Sequence, residues 1–202
     1  DLRMVLSMES GSRAYDSVTK RLSYVKTLSL GALSTQARKS ITESMLARLG
    51  RPVDKLDPRI LNHGPLRNPL TLRVTMAGYN LTSRFVPSHS METIFAEVLE
   101  RLEADYHKDA PGMTEKVFTS IARSRRGLTD SELMAIAGIN RMLWARLLYD
   151  AHDLLDGSST LLNYHHSSLD DAVCRRYMPT EEKRQKVTIA LANYFEKLSL
   201  SF

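Results

Sequence analysis

Six histidines, one cysteine and a few paired acids are the side chains of this sequence best suited to chemistry. The histidines stand at 63, 89, 107, 152, 165 and 166, and they make neither an HExxH pair nor a zinc-ligand spacing with Cys174. Cys174 follows Leu169 and Val173 along a predicted helix, which favours a buried structural thiol over a nucleophile. Asp170-Asp171 and Glu181-Glu182 fall in the first turns of predicted helices, where carboxylates complement the helix dipole. The nine glycines stand outside any GxxxxGKS/T or GxGxxG loop, and no serine sits in a GxSxG elbow. The segment carries no catalytic centre of its own.

Composition narrows the class further. With 202 residues, 43% hydrophobic, 25% charged and one cysteine, the chain can build a core and is neither a disordered tail nor a disulfide scaffold. It holds no apolar run of membrane-spanning length, so no membrane partner is expected, and a single cysteine without a signal peptide fits the cytosol or nucleus. The net charge of +5 is uneven: residues 1–88 hold 14 Lys/Arg against 6 Asp/Glu, and 89–202 hold 14 against 17. A basic half attracts phosphate in principle, but no basic cluster is interleaved with aromatics as nucleic-acid surfaces require.

Residues 3–8 read as a short buried strand, 14–22 as a helix and 24–30 as a second strand, a crossover unit with parallel strands. Two parallel strands alone leave both edges unpaired. The rest of that sheet is therefore expected ahead of Asp1, where the sequence opens without an initiator Met.

From residue 34 the periodicity turns helical. Ser34 caps a predicted helix with Ala37, Ile41, Met45 and Leu49 on one face, closed by Gly50. A short polar helix is predicted at 55–62, and Asn68-Pro69 starts another that runs to about Asn80. Ser90 opens an amphipathic helix with Met91, Ile94, Phe95, Val98, Leu99, Leu102 and Tyr106 on one face. A helix over 114–124 turns Val117, Phe118 and Ile121 inward. Thr129 and Glu132 form a capping box before a short helix ending at Gly138, and Asn140 caps the next, which carries Leu143, Trp144, Leu147 and Leu148. Residues 154–162 read as a hairpin with an Asp156-Gly157 turn. Helices follow over 168–177 and about 180–198, the latter with Val187, Ala190, Leu191, Tyr194, Phe195 and Leu198 inward. Helix, turn, helix, hairpin, helix is the plan of a winged helix-turn-helix.

This order and three local signatures resemble the C-terminal part of STAND-type NTPases, the NACHT and apoptotic-ATPase relatives of AAA+ proteins. Similarity is strongest to nephrocystin-like and telomerase-associated-protein-like members that carry repeats after the NTPase. Arg3–Met8 resembles a late sheet strand, though Ser7-Met8-Glu9-Ser10 lacks the Arg of the usual sensor. Gly64-Pro65-Leu66-Arg67-Asn68-Pro69-Leu70 resembles the lid motif, and Ser124-Arg125-Arg126-Gly127-Leu128-Thr129 the opening of the winged helix. Tyr164-His165-His166-Ser167-Ser168-Leu169 and Ala192-Asn193-Tyr194-Phe195 extend the match.

The resemblance implies a mainly α fold. It would comprise the end of a parallel α/β nucleotide-binding sheet (1–33), a helical lid bundle (34–88), a winged helix-turn-helix (89–178) and a helix leading to a further module (179–202). It implies ATP or ADP as cofactor, held chiefly by upstream residues, with Asn68 and Pro69 at the adenine side and His166 at the phosphates. Beside Pro69, free backbone N–H groups of a helix N-terminus are expected. The functions implied are a nucleotide-dependent switch or assembly scaffold with protein partners and downstream repeat modules. The alternative is a degenerate NTPase fold serving as a structural part of a ciliary, cytoskeletal or ribonucleoprotein assembly, which the missing sensor Arg favours. DNA binding is weighed least, because the helix 140–152 offers only Arg141 and Arg146 beside Asp150 and Asp153.

Overall fold

The computed structural model describes residues 5–8, 10–21, 24, 26–48, 50, 58–82, 91–157 and 160–200, and of 77–82 the backbone alone. These are mainly helical, with ten α-helices and one two-stranded sheet among the described residues. They fall into two compact units, 1–31 and 32–202.

The first unit holds helix α1 (Arg13–Arg21), capped where the Ser12 hydroxyl accepts the Tyr15 N–H. Among the described residues, the parallel strands predicted on either side of it show no pairing. Residues 5–8 and 26–30 carry no strand pairing, and residues 1–4, 9 and 25 lie outside the described residues. Two parallel segments without a third neighbour have too few ladder bonds to hold one another. Val5, Leu6, Leu28 and Leu30 stay exposed instead.

In the second unit, Ser34 caps α2 (Thr35–Arg48) as predicted, accepting from the Ala37 N–H at 3.1 Å. Its buried face is a different one: Arg38, Thr42 and Leu46 are inside, while Ile41 is exposed. The buried face keeps the predicted four-residue spacing but is displaced by one residue, about 100° around the helix, with Met45 at its margin against the small cluster. Leu49 lies outside the described residues, as do 55–57 of the predicted polar helix. Its remainder is α3 (Pro58–Asn62), followed by a 3-10 turn over Gly64–Arg67 and then α4 (Pro69–Thr82).

Helix α5 (Met91–Tyr106) buries the face its periodicity predicts, from Ile94 to Tyr106. It packs on α4, on α6 (Met113–Arg123) and on α9 (Ser167–Tyr177). Arg175 and Arg176 of α9 form ion pairs with Glu92 and Glu103 of α5. The Thr129 capping box is complete before α7 (Asp130–Ala137), and the Asn140 side chain caps α8 (Arg141–Asp150).

The hairpin is present in another register. Strand β1 (Leu155–Asp156) pairs antiparallel with β2 (Asn163–Tyr164), so the connection is six residues long and no tight Asp156-Gly157 turn is made. Leu162 is drawn away to bridge Leu128 instead, with its N–H donating to Leu128 O at 2.8 Å. Both leucines are thereby buried. Helix α10 (Glu181–Ser199) packs on α6 through Leu191 and Val187, while Ala190 and Phe195 lie to the sides and are exposed. No helix among the described residues is long and apolar enough to cross a membrane.

Gly127 makes the Leu128–Leu162 bridge possible. Its φ is +88°, and a Cβ there would lie 2.5 Å from Leu162 O. Gly112 has a φ of +75° with nothing within 4 Å of its Cβ position. Gly127→Ala should therefore lose about 2–4 kcal/mol and Gly112→Ala only about 1 kcal/mol, since one adds backbone collision to left-handed strain. Urea unfolding of the two variants checks the difference.

Candidate functional site

Two of the three predicted ligand positions lie at the start of α4. The Asn68 side-chain oxygen accepts from the N–H groups of Leu70 at 2.9 Å and Thr71 at 3.2 Å, and its carbonyl accepts from Leu72. Pro69 has no N–H to offer. The free N–H groups expected beside Pro69 are thus already taken, and Asn68 is occupied as a helix cap. Pro69 itself is exposed.

The third position is His166, which caps α9. Its Nδ1 accepts the Ser168 N–H at 3.0 Å, which leaves Nε2 carrying the proton and pointing its donor elsewhere. The ring is half-buried. The two residues before it are fixed from both sides: Tyr164 of β2 stacks on Phe118 and donates its hydroxyl to Phe118 O, and the His165 N–H donates to Leu154 O at 3.0 Å. Burial, together with the nearby Asp170 carboxylate, holds the Tyr164 phenol well above the usual tyrosine range.

Arg73 connects these two places, and sequence reasoning passed over it. It lies one turn beyond Pro69 on α4. Its Nε donates to Asp153 Oδ1 at 3.1 Å and its Nη2 lies 3.4 Å from His165 Nε2. Asp153 presents its second oxygen to His152 Nε2 at 3.3 Å, and His152 Nδ1 faces Tyr149 O at 2.7 Å. Both His152 nitrogens therefore face protein acceptors. The signal for Arg73 was available: it is the one charged residue among the fourteen of α4.

The remaining reactive groups serve structure. Burial, then Asp170, pushes the Cys174 thiol up, away from a nucleophilic thiolate. Burial and the neighbouring Asp171 raise Asp170 likewise. Asp150, beside the helix once weighed for DNA, accepts the Tyr106 hydroxyl at 2.6 Å, and Arg146 pairs with Asp109 at 3.1 Å while covering the Tyr106 ring. The solvent face of α8 shows Met142 and Tyr149, each about two-thirds exposed, in place of a phosphate-binding row. A cleft of about 570 Å³ lies between the start of α7, the end of α8 and the hairpin, with Leu148, Leu155 and Leu162 at its floor and Thr129, Ser131 and Thr160 lining it. Among the described residues no group of three His, Cys, Asp or Glu could hold a metal ion.

No family model and no solved structure matches the chain. It is similar to a TPR repeat-containing protein of Dictyostelium discoideum, 22% identical over 98% of this chain. The chain spans 13% of that relative's length.

The cap at His166 has its own consequence. His166→Ala should lower stability by about 0.5–2 kcal/mol, and His166→Asn should restore most of it, because asparagine caps a helix with its own oxygen. Denaturant midpoints of the three proteins measure this.

Proposed function

We propose that this chain is the helical-lid and winged-helix part of a STAND-class NTPase, acting as a nucleotide-dependent switch or assembly scaffold without catalytic groups of its own. The observation that supports it best is the placement of α4. Its first turn carries the lid proline of the resemblance, and one turn later Arg73 reaches His165, next to the winged-helix histidine. The lid and winged-helix features of the resemblance thus lie on neighbouring elements of one unit. Read as a winged helix, α6, the Leu128 bridge, α7, α8, β1 and β2 follow one another in the order that fold uses.

In this reading ATP or ADP is held chiefly by residues outside the chain. Pro69 supplies an apolar face and His166 Nε2–H a donor to phosphate, while lid and winged helix rearrange as nucleotide exchanges. Partners are proteins, including repeat modules of the same polypeptide. The Dictyostelium relative is a TPR repeat-containing protein by name, which accords with a scaffold. The proposed setting is cytoplasmic, cytoskeletal or ciliary.

A second reading, a degenerate fold kept for assembly alone, is favoured by the capping roles of Asn68 and His166, neither of which needs a nucleotide. The two readings part in one experiment. ADP affinity is measured on the full-length protein, wild type and His166→Asn, since that variant keeps the cap and removes the ring donor. The switch reading expects affinity to fall about tenfold or more, the scale of one hydrogen bond to a charged group. Equal affinities remove His166 from the switch, and no binding by wild type leaves the scaffold.

A further inference from the structure

Helix α4 belongs to two hydrophobic clusters. Leu72 and Met76 pack with Leu46, Ile60 and Leu66, whereas Val74 and Leu70 pack with the large cluster that holds α5 to α10. Between these faces, Arg73 is the one outward residue from 71 to 76. Its guanidinium does not extend into water. It lies against Asp153, just before β1, and His165, just after β2.

The hairpin's own bonds, none of which involves Arg73, set those two residues on neighbouring strand ends. The His165 N–H bonds to Leu154 O across the base of the hairpin, and the Leu155–Tyr164 pair fixes the register. Asp153 is shielded, its side chain only 13% exposed against 44% for Arg73. A shielded carboxylate beside an imidazole acceptor is a two-point receptor for the planar donor fork of arginine, and lysine cannot occupy both points. An ion pair between two fully exposed side chains contributes little, and this one differs by its shielded acid and second acceptor.

We infer that Arg73, Asp153 and His165 form a releasable latch, which holds α4 and the small cluster attached to it against the base of the hairpin. The apolar contact of α4 with α5 persists when the latch opens, so release frees one edge of α4 and leaves its packing on α5 as the pivot. Phosphate chemistry supplies an opener, because a polyphosphate competes with a carboxylate for a guanidinium. That last step rests on the NTPase reading above; the latch itself does not.

The test uses this chain with no nucleotide present, so its failure and the failure of that reading are separate results. Hydrogen exchange is followed by mass spectrometry over 69–76 and 154–166 in wild type, Arg73→Ala, Asp153→Asn and the double variant. Each single change should speed exchange in both segments by about threefold or more, and the double variant should go no further than the larger single, as coupled partners do. Arg73→Lys keeps the charge without the fork and should behave like Arg73→Ala. Additive effects, acceleration confined to the mutated element, or wild-type exchange in Arg73→Lys would each overturn the latch.

Discussion

A helix with apolar residues on two sides must be buried twice, and much of the second unit follows from how α4 meets that demand. Leu72 and Met76 require α2, α3 and the 3-10 turn on one side; Leu70 and Val74 require α5 on the other. Neither neighbour can be removed without exposing leucine-sized surface, at about 25 cal/mol per Å². The two clusters are therefore energetically joined through one helix, although most of their residues never touch. It also explains why α4 spends only one position of its central turns on charge, and why that charge is placed where it can reach the hairpin.

Local sequence marked the helices well where caps and a single buried face agreed. The α5 stripe, the Thr129 capping box and the Asn140 cap all stand where the pattern put them, because each is decided within a turn or two of chain. It misled where the outcome depends on distant partners. The Asp156-Gly157 dipeptide is a good tight turn in isolation, but Leu162 gains more from bridging Leu128 and being buried than from pairing with β1. The α2 face turned on Arg38, which periodicity assigns to solvent. Its guanidinium is inside, donating to His63 O and to the Thr35 hydroxyl at 3.1 Å each.

The candidate site shows the same division. The Asn68-Pro69 helix start is legible in the sequence because capping has a short-range signature, whereas His166 stands out there by motif alone and its capping of α9 shows only in the structure. Asp153 and His165 lie 80 and 92 residues from Arg73 in sequence. No spacing rule joins them; only the path of α4 past the hairpin does. A lone charge in an apolar helix nonetheless asks for a partner, and that question could have been put to the sequence.

Arg38 sharpens what the small cluster is for. A cation with 3% exposure and, among the described residues, only neutral acceptors, with no hydrogen bond at its Nε, stabilises a fold poorly by itself. Among the described residues the core of α2, α3 and α4 is the smaller of the two and encloses a buried cation, while the α5–α10 cluster is the larger. Local opening draws on regions of the first kind, since their burial offsets less of the entropy of ordering. If one part of the second unit moves against the other, physical chemistry assigns the motion to the α2–α4 side, and Arg73 then stands at the boundary where that motion would be held or let go.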